Sequence, residues 1–576
     1  MSSANGSWIE VTPLGGADTV TGSCYLITVT VKKQKKSYMV DCGMFTEKAV
    51  EKLNTNIADD VSKVEAIFVT HAHADHIGRL PYAYKLGYRG PIYSTDPVKG
   101  LAKIVLPDSA KIQEHEYEHA LRKVSHKHVD SELDLGPLYT THDAESVLEQ
   151  FVSVDKGRKV KINDTLEVCF YNAGHSLGSA SIMLTFNNGY ETMRLYFSGD
   201  LGQNNPILKQ RRDSLKKDVD FVFMESTYAG RYHPERKESW NELRELVAKT
   251  ISKGGNVIFP AFAVGRTQEV LYLYYKDMME NDDWIAKLFR KTPVFVDSQM
   301  AVTATQEFKK HPEEFSTHVR SLVADDYTGP FDFKQLTMVP DSETSKKLTQ
   351  KNNNYIVFSA AGMCNAGRVL YHLEKDLPNP LSTVIFTGYQ AEGTLGRLII
   401  DGVKKLKING NPIFVKAHIA SINAFSAHAD QNGLIRWLNK IEKGYTLFLA
   451  HGVPESQAKL MEDLIADGVV SKKNVDLLTV GKSYRLYKGG YDIVKLEPTP
   501  MMSQPKSPEV FERIKKKEIA RIRDFLKTTS ISYLDADTIR LINALDHRLE
   551  RQQTTAKRAT KVQRKPNRKN CGKRRR

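Results

Sequence analysis

His71-Ala72-His73-Ala74-Asp75-His76 places three imidazoles and one carboxylate within six positions. Both groups are good zinc ligands, at about 2.0–2.2 Å from the ion. The spacing carries more information than the number. His71 and His73, two apart, can turn toward one metal, while adjacent Asp75 and His76 diverge toward a second. Two ions about 3.5–4 Å apart form a clamp for the attacking and leaving oxygens of an in-line phosphoryl displacement. The plain alternatives are a surface histidine cluster or a single structural zinc site.

Such a cluster needs a rigid element behind it. Ile67-Phe68-Val69-Thr70 is β-branched and aromatic, and reads as a buried strand that delivers the ligands at its end. The same arrangement recurs along the chain. Tyr38-Met39-Val40 ends in Asp41, where a carboxylate would hold a ligand histidine from behind. His175 lies in the glycine-flanked turn Ala173-Gly174-His175-Ser176-Leu177-Gly178. Leu195-Tyr196-Phe197-Ser198-Gly199 ends in Asp200, and Val222-Phe223-Met224 ends in Glu225. Far downstream, Phe425-Ser426-Ala427 leads to His428, and Thr446-Leu447-Phe448-Leu449-Ala450 ends in His451. Any one of these is bland, but the series points to one site. His451 is a candidate third ligand beside Asp75 and His76.

Between these groups, residues 235–420 alternate helical stretches with apolar strands such as Val257-Ile258-Phe259 and Val384-Ile385-Phe386, the pattern of an α/β layer with a largely parallel sheet. Its loops are rich in glycine and hydroxyls, which frees backbone N–H groups for phosphate oxygens. Arg266, Ser359, Gln390, Thr394 and Arg397 are the candidate contacts to a nucleic-acid backbone. Residues 94–152 read as mostly helical.

The chain of 576 residues, 41% hydrophobic and 26% charged, has room for two or three domains of ordinary globular composition. It contains no apolar run near twenty residues and starts without a basic-then-apolar signal, so a cytoplasmic location and no membrane are expected. Five scattered cysteines with no C-x-x-C pair argue against a disulfide framework and a cysteine zinc knuckle. The net charge of +15 is concentrated late. Residues 501–576 hold 22 Lys/Arg against 8 Asp/Glu, a basic arm suited to an anionic polymer. Within it, 507–527 and 537–550 have amphipathic helical patterns that would dock on the body or on a second copy, as in a homodimer. From Arg551 on there are 12 Lys/Arg and no acid, the composition of a disordered RNA tether.

Taken together, His71-Ala72-His73-Ala74-Asp75-His76, His175, Ser198-Gly199-Asp200, Glu225, Phe425-Ser426-Ala427-His428 and His451-Gly452 resemble, in order, the motifs of the metallo-β-lactamase superfamily, specifically its β-CASP branch of nucleic-acid-processing nucleases. Ser359-Ala360-Ala361-Gly362-Met363 and Gly388-Tyr389-Gln390-Ala391-Glu392-Gly393-Thr394-Leu395-Gly396 resemble bacterial members akin to the endonuclease subunit of the cleavage and polyadenylation specificity factor. The likeness spans roughly residues 8–490. It implies an α/β fold, an αββα sandwich with an inserted α/β β-CASP domain, here followed by a basic helical and disordered extension. The expected domains are 8–230 and 423–495 for the sandwich, 231–422 for the insert, 500–550 for the helical extension and 551–576 for the tail. By resemblance, His71, His73 and His175 bind one zinc, Asp75, His76 and His451 the other, and Asp200 bridges them. Asp41 resembles the family's supporting acid, and Glu225 with His428 the pair that protonates the leaving oxygen. A histidine at the position of His451 goes with RNA-acting members, whereas DNA-acting ones tend to have valine. Val453 departs from the pattern, since many relatives have glutamate after His-Gly.

The function expected is zinc-dependent hydrolysis of single-stranded RNA to 5′-phosphate and 3′-hydroxyl ends, in RNA processing or degradation. A DNA nuclease of the same branch, a non-catalytic RNA-binding scaffold and a small-molecule thioester hydrolase are the alternatives. His451 argues against the first and the full ligand set against the second. The third would need neither the insert nor the basic tail.

Overall fold

The computed structural model describes residues 8–495, apart from short stretches at 32–33, 48, 59, 124–135, 188–190, 215–217, 326–328, 351–353, 389 and 391–392. The amphipathic helices and basic tail expected beyond residue 496, with the homodimer contact built on them, lie outside the described residues. So do Tyr389, Ala391 and Glu392 of the glycine-rich loop.

Two sheets face each other. One has eight strands, in spatial order Gly490–Lys495, Lys482–Tyr487, Trp8–Gly15, Cys24–Val31, Gln34–Val40, Val64–Phe68, Ile92–Ser94 and Phe151–Ser153. The other has seven: Val475–Leu477, Thr446–Ala450, Phe221–Glu225, Thr192–Phe197, Ala180–Asn187, Leu166–Asn172 and Lys159–Lys161. Side chains from both inner faces share one core, with Val11, Ile27, Val40 and Phe68 meeting Phe170, Ile182, Phe197 and Phe223. In Trp8–Gly15 every second residue is buried, the period-2 signature of a strand packed on one face. Helices cover the outer faces. Leu80, Leu101, Leu106 and Val147 pack on Met39 and Ile67. Leu434, Trp437, Leu460 and Leu464 pack on Val222, Met224 and Leu447. This is the αββα sandwich the motifs implied.

The third sheet, of six strands, is inserted in sequence between two neighbours of the second. Its spatial order is Leu336–Met338, Val294–Asp297, Ile356–Ser359, Val257–Pro260, Thr383–Phe386 and His418–Ser421, and every pairing is parallel. Val257 and Phe259 pack on one face against Leu243, Leu271 and Tyr274, while Ile258 packs on the other against Leu373 and Ile399. Burial on both faces explains why these strands read as continuous apolar runs rather than as alternating ones. The four described cysteines are buried thiols. No helix among the described residues is long and apolar enough to cross a membrane.

The layers hold the functional residues through a shared rule: the runs expected to present ligands end at one edge of the sandwich. Strand Gln34–Val40 stops before Asp41, Val64–Phe68 before His71, Thr192–Phe197 before Asp200, Phe221–Glu225 at Glu225, and Thr446–Ala450 before His451. The last strand of the insert, His418–Ser421, leads through the short turn Asn423–Phe425 into His428. The carboxyl end of the parallel sheet therefore points toward the same edge.

Candidate active site

Seven side chains from four loops converge there in two sets. In the first, His71 Nε2 is 3.0 Å from His73 Nδ1, and His175 Nε2 is 3.3 Å from that same nitrogen. Asp200 Oδ2 lies 3.5 Å from His71 Nε2 and 3.4 Å from His175 Nε2. In the second, His76 Nε2 and His451 Nε2 are 3.1 Å apart, with Asp75 Oδ2 at 3.9 and 3.7 Å from them. The other oxygen of Asp200, Oδ1, is 3.3 Å from His76 Nε2. Ligand atoms held tetrahedrally at about 2.0–2.1 Å from an ion stand about 3.3 Å from one another, and these spacings cluster about that value. Hydrogen bonding cannot account for the first set, because three ring nitrogens crowd one point and one proton serves only one pair. Asp200 Oδ1 is buried and finds no hydrogen-bond partner, a costly state that a cation would relieve. The donor set therefore fits two metal ions bridged by one carboxylate.

A supporting network fixes the rings. Asp41 Oδ2 is 2.7 Å from His76 Nδ1, which leaves Nε2 facing the basin. Asp41 itself accepts from the Thr70 main-chain N–H at 2.8 Å, from the Thr70 hydroxyl and from the Ser23 hydroxyl at 3.0 Å. Thr227 Oγ1 stands 3.0 Å from His451 Nδ1. Asp41 and His451 have φ of 57° and 51°, left-handed conformations that only a well-braced non-glycine residue sustains. Glycine is required where the loops touch. A Cβ on Gly43 would fall 1.6 Å from the Asp75 carbonyl oxygen, and one on Gly202 would fall 2.0 Å from that of Gly174.

Electrostatics separates the two sets. Burial, with neighbouring imidazoles, drives His71 and His175 well below the ordinary histidine value, and burial lowers His73 as well. Burial also opposes protonation of His76 and His451. There the carboxylates win, with Asp200 and Asp41 raising His76 well above 6.5 and Asp200 with Asp75 raising His451. Burial pushes Asp200 up, but the surrounding imidazoles outweigh it and hold the carboxyl well below the usual range.

Beside the first set, His428 Nδ1 sits 3.2 and 3.3 Å from the two oxygens of Glu225, and its Nε2 points at Asp200 Oδ2, 3.8 Å away. Glu225 is fixed by the Leu201 and Thr227 main-chain N–H groups at 2.7 and 3.2 Å. The His428 loop is zipped to the Asp200 loop by the Ala429 N–H donating to the Leu201 carbonyl at 2.7 Å. Burial pulls the pKa of His428 down, but Glu225 and Asp200 raise it to about 9. Bound dications would lower it from there, toward the range of a useful general acid. Most of these side chains are closed off. The opening to solvent runs over Asp75, 22% exposed, and His428, 20% exposed.

The five expected backbone contacts are placed differently. Ser359 is buried, and its hydroxyl donates inward to the Asp297 carbonyl at 2.8 Å. Gln390 Nε2 donates to the Gly362 carbonyl at 3.0 Å, and Thr394 caps the helix Leu395–Ile400. Arg397 is half-exposed and pairs with Asp401 at 2.7 Å. Arg266 is drawn into a buried ion cluster, with Glu269 accepting from it at 3.0 Å and from Lys209 at 2.6 Å. Lys209 also donates to the His175 carbonyl at 2.8 Å, so the cluster ties the insert to a ligand loop. Ser359, Gln390, Thr394 and Arg266 are held inward by structural duties, since a buried polar group is held by its partners, whereas Arg397 stays half-exposed. Sequence reasoning missed Thr70, Lys209 and Thr227. Only Thr70, directly before His71, carried any signal.

Comparison with known proteins agrees with this geometry. Residues 267–399 match the Beta-Casp domain, and 412–476 match the Zn-dependent metallo-hydrolase RNA specificity domain. Residues 9–250 match the anti-Pycsar protein Apyc1 family. The chain is 31% identical over 448 residues to ribonuclease TTHA0252 of Thermus thermophilus, covering 78% of this chain and 94% of that one. It is 30% identical to an RNase J-like protein of Methanocaldococcus jannaschii, covering 76% and 91%. It is 28% identical to the transcription termination factor FttA of Methanosarcina mazei, covering 77% of this chain and 67% of that longer one.

Proposed function

The chain belongs to the β-CASP ribonuclease branch of the metallo-β-lactamase superfamily, and from that premise we propose that it is a two-zinc ribonuclease cleaving single-stranded RNA to 5′-phosphate and 3′-hydroxyl ends. The observation that carries this reading is the shared carboxylate: Asp200 turns one oxygen to each ligand set, with His428 beside it. His71, His73 and His175 would hold one ion, Asp75, His76 and His451 the other, and Asp200 both. Ions bound there would supply a nucleophile at neutral pH and neutralise charge gathering on the phosphoryl oxygens.

The chain's own groups do the rest. Asp41 holds the proton on His76 Nδ1, which keeps Nε2 as a ligand. Glu225 accepts from His428 Nδ1 and stabilises the imidazolium, leaving the Nε2 proton for the departing sugar 3′-oxygen. The solvent opening over Asp75 and His428 would admit the strand, with its leaving side at His428. A site so largely closed off suits a flexible strand better than a stiff duplex. On the insert, main-chain groups of the loops that follow Ser359 and Thr387 would meet the RNA backbone. Ser359, Gln390 and Thr394 shape those loops, Arg266 anchors the neighbouring helix, and Arg397 lies at the rim.

The test is cleavage of a labelled RNA strand beside the same DNA sequence and an RNA duplex, with wild type and Asp75→Ala in parallel. The RNA strand should be cut fastest, with 5′-phosphate termini, and Asp75→Ala should be inactive. Equal cutting of DNA, cyclic-phosphate ends or an undiminished Asp75→Ala would each overturn the corresponding part.

A further inference from the structure

One large apolar side chain of the insert has no part in the core. Phe262 is 43% exposed, although it stands only two residues past Val257–Pro260, a fully buried strand of the insert. Its position is specific. Ile356–Ser359 and Thr383–Phe386 flank that strand, and the loops leaving all three carboxyl ends meet at the ring. Chain order reverses around this strand, the place where open parallel sheets take their ligands.

The ring rests on glycine. A Cβ on Gly362 would lie 3.3 Å from Phe262 Cδ2, and one on Gly388 would lie 3.3 Å from Cε2. Both glycines thus sit against the same ring edge, and a side chain at either would press on it. The loop is also held. Thr267 Oγ1 donates to the Phe262 carbonyl at 2.8 Å, and two residues on, Val264 packs against the core cluster that contains Leu177 and Ala72. Leu177 follows ligand His175 by two positions, and Ala72 lies between ligands His71 and His73. The loop runs into the helix whose Glu269 accepts from Lys209, which donates in turn to the His175 carbonyl, so the exposed ring stands on a braced loop tied to the metal basin. Exposing it to water costs hydrophobic free energy, which a flat partner would recover.

We propose that Phe262 is the stacking platform for one unpaired nucleobase of the bound strand, at a fixed distance along the RNA from the scissile phosphate. This rests on the reading of the site as an RNA-strand nuclease and adds the residue that grips a base. The contact uses a π-face that every base has, so it selects single-stranded over paired substrate without reading sequence.

The experiment compares wild type, Phe262→Leu and Phe262→Trp on a short oligoribonucleotide and on a set carrying one abasic nucleotide at each position in turn. Phe262→Leu should raise KM roughly 5- to 150-fold, the size of one base–aromatic stack, with kcat within about threefold. Phe262→Trp should restore wild-type KM. In wild type, one abasic position should raise KM similarly, and Phe262→Leu should lose sensitivity at that position alone. If wild type cleaves RNA but Phe262→Leu keeps its KM, or if no single abasic position matters, the stacking role is wrong and the nuclease reading stands. If wild type neither binds nor cleaves RNA strands, both fall. Wild-type abasic scanning carries the test should Phe262→Leu fold poorly.

Discussion

The two halves of the metal basin are built from the same side-chain types but prepared differently. His71, His73 and His175 are held neutral, because burial and mutual repulsion keep protons off them. His76 and His451 lie among Asp41, Asp75 and Asp200, whose charges overcome burial and favour the imidazolium. A metal competes with protons for an imidazole. The three-histidine half is ready for an ion near neutral pH, whereas the carboxylate-rich half must release protons to take one. Equal ligand counts thus do not mean equal affinities.

The most severe way to erase the distinction is Asp200→Ala, which removes the group common to both halves. Cleavage should fall by more than roughly 10⁴-fold, since each ion contributes several kcal/mol of charge stabilisation, and metal should leave both halves. Retention of one tightly bound ion would show that the halves are more independent than a bridged pair. Next in size is His428→Ala, which should slow cleavage roughly 10²–10⁴-fold while metal content stays at wild-type level. A substrate with a good leaving group should recover much of that loss, and a variant that loses metal would make His428 a ligand. Asp41→Asn sharpens the comparison, because Asp41 touches only His76 among the ligands. Metal affinity should drop roughly 10- to 100-fold at the carboxylate-rich half, with the other half unchanged.

The mildest perturbation is a change of pH. For a histidine whose pKa is raised, proton competition begins above 6.5; for one whose pKa is lowered, it begins below. Acidification from pH 8 toward 6.5 should therefore weaken the carboxylate-rich half, by roughly tenfold per pH unit for each proton displaced. The three-histidine half should hold its ion over that range. Simultaneous loss of both ions in a pH-stepped dialysis would contradict the assignment.

The candidate ligands were legible in sequence because metal chemistry restricts residue type. Few side chains other than imidazole and carboxylate serve, and each strand run ending in one could be found by reading forward. The parallel insert followed from apolar runs alternating with helical stretches, and the αββα sandwich from the family resemblance that the order of motifs carried. The RNA face was not legible in the same way. Arg266, chosen for its charge, turns into a cluster with Glu269 and Lys209 that braces the His175 loop. Ser359, chosen for its hydroxyl, holds a neighbouring strand. Phe262, which no motif singles out, stands exposed against two glycines. Which partner a polar group takes depends on contacts hundreds of residues apart, as between Thr227 and His451, and no local pattern reports that.

The central claim is a bridged pair of ions in which both are needed for cleavage, and metal counting during reconstitution tests it most directly. Chelator-stripped protein is titrated with zinc at pH 7.5, with bound metal per chain and RNA cleavage measured on the same samples. The account predicts a first ion that binds with little proton release and restores almost no activity. A second, weaker ion should then bind with proton release and bring the activity back. Full cleavage at one equivalent, or undiminished cleavage by the stripped protein, would contradict it.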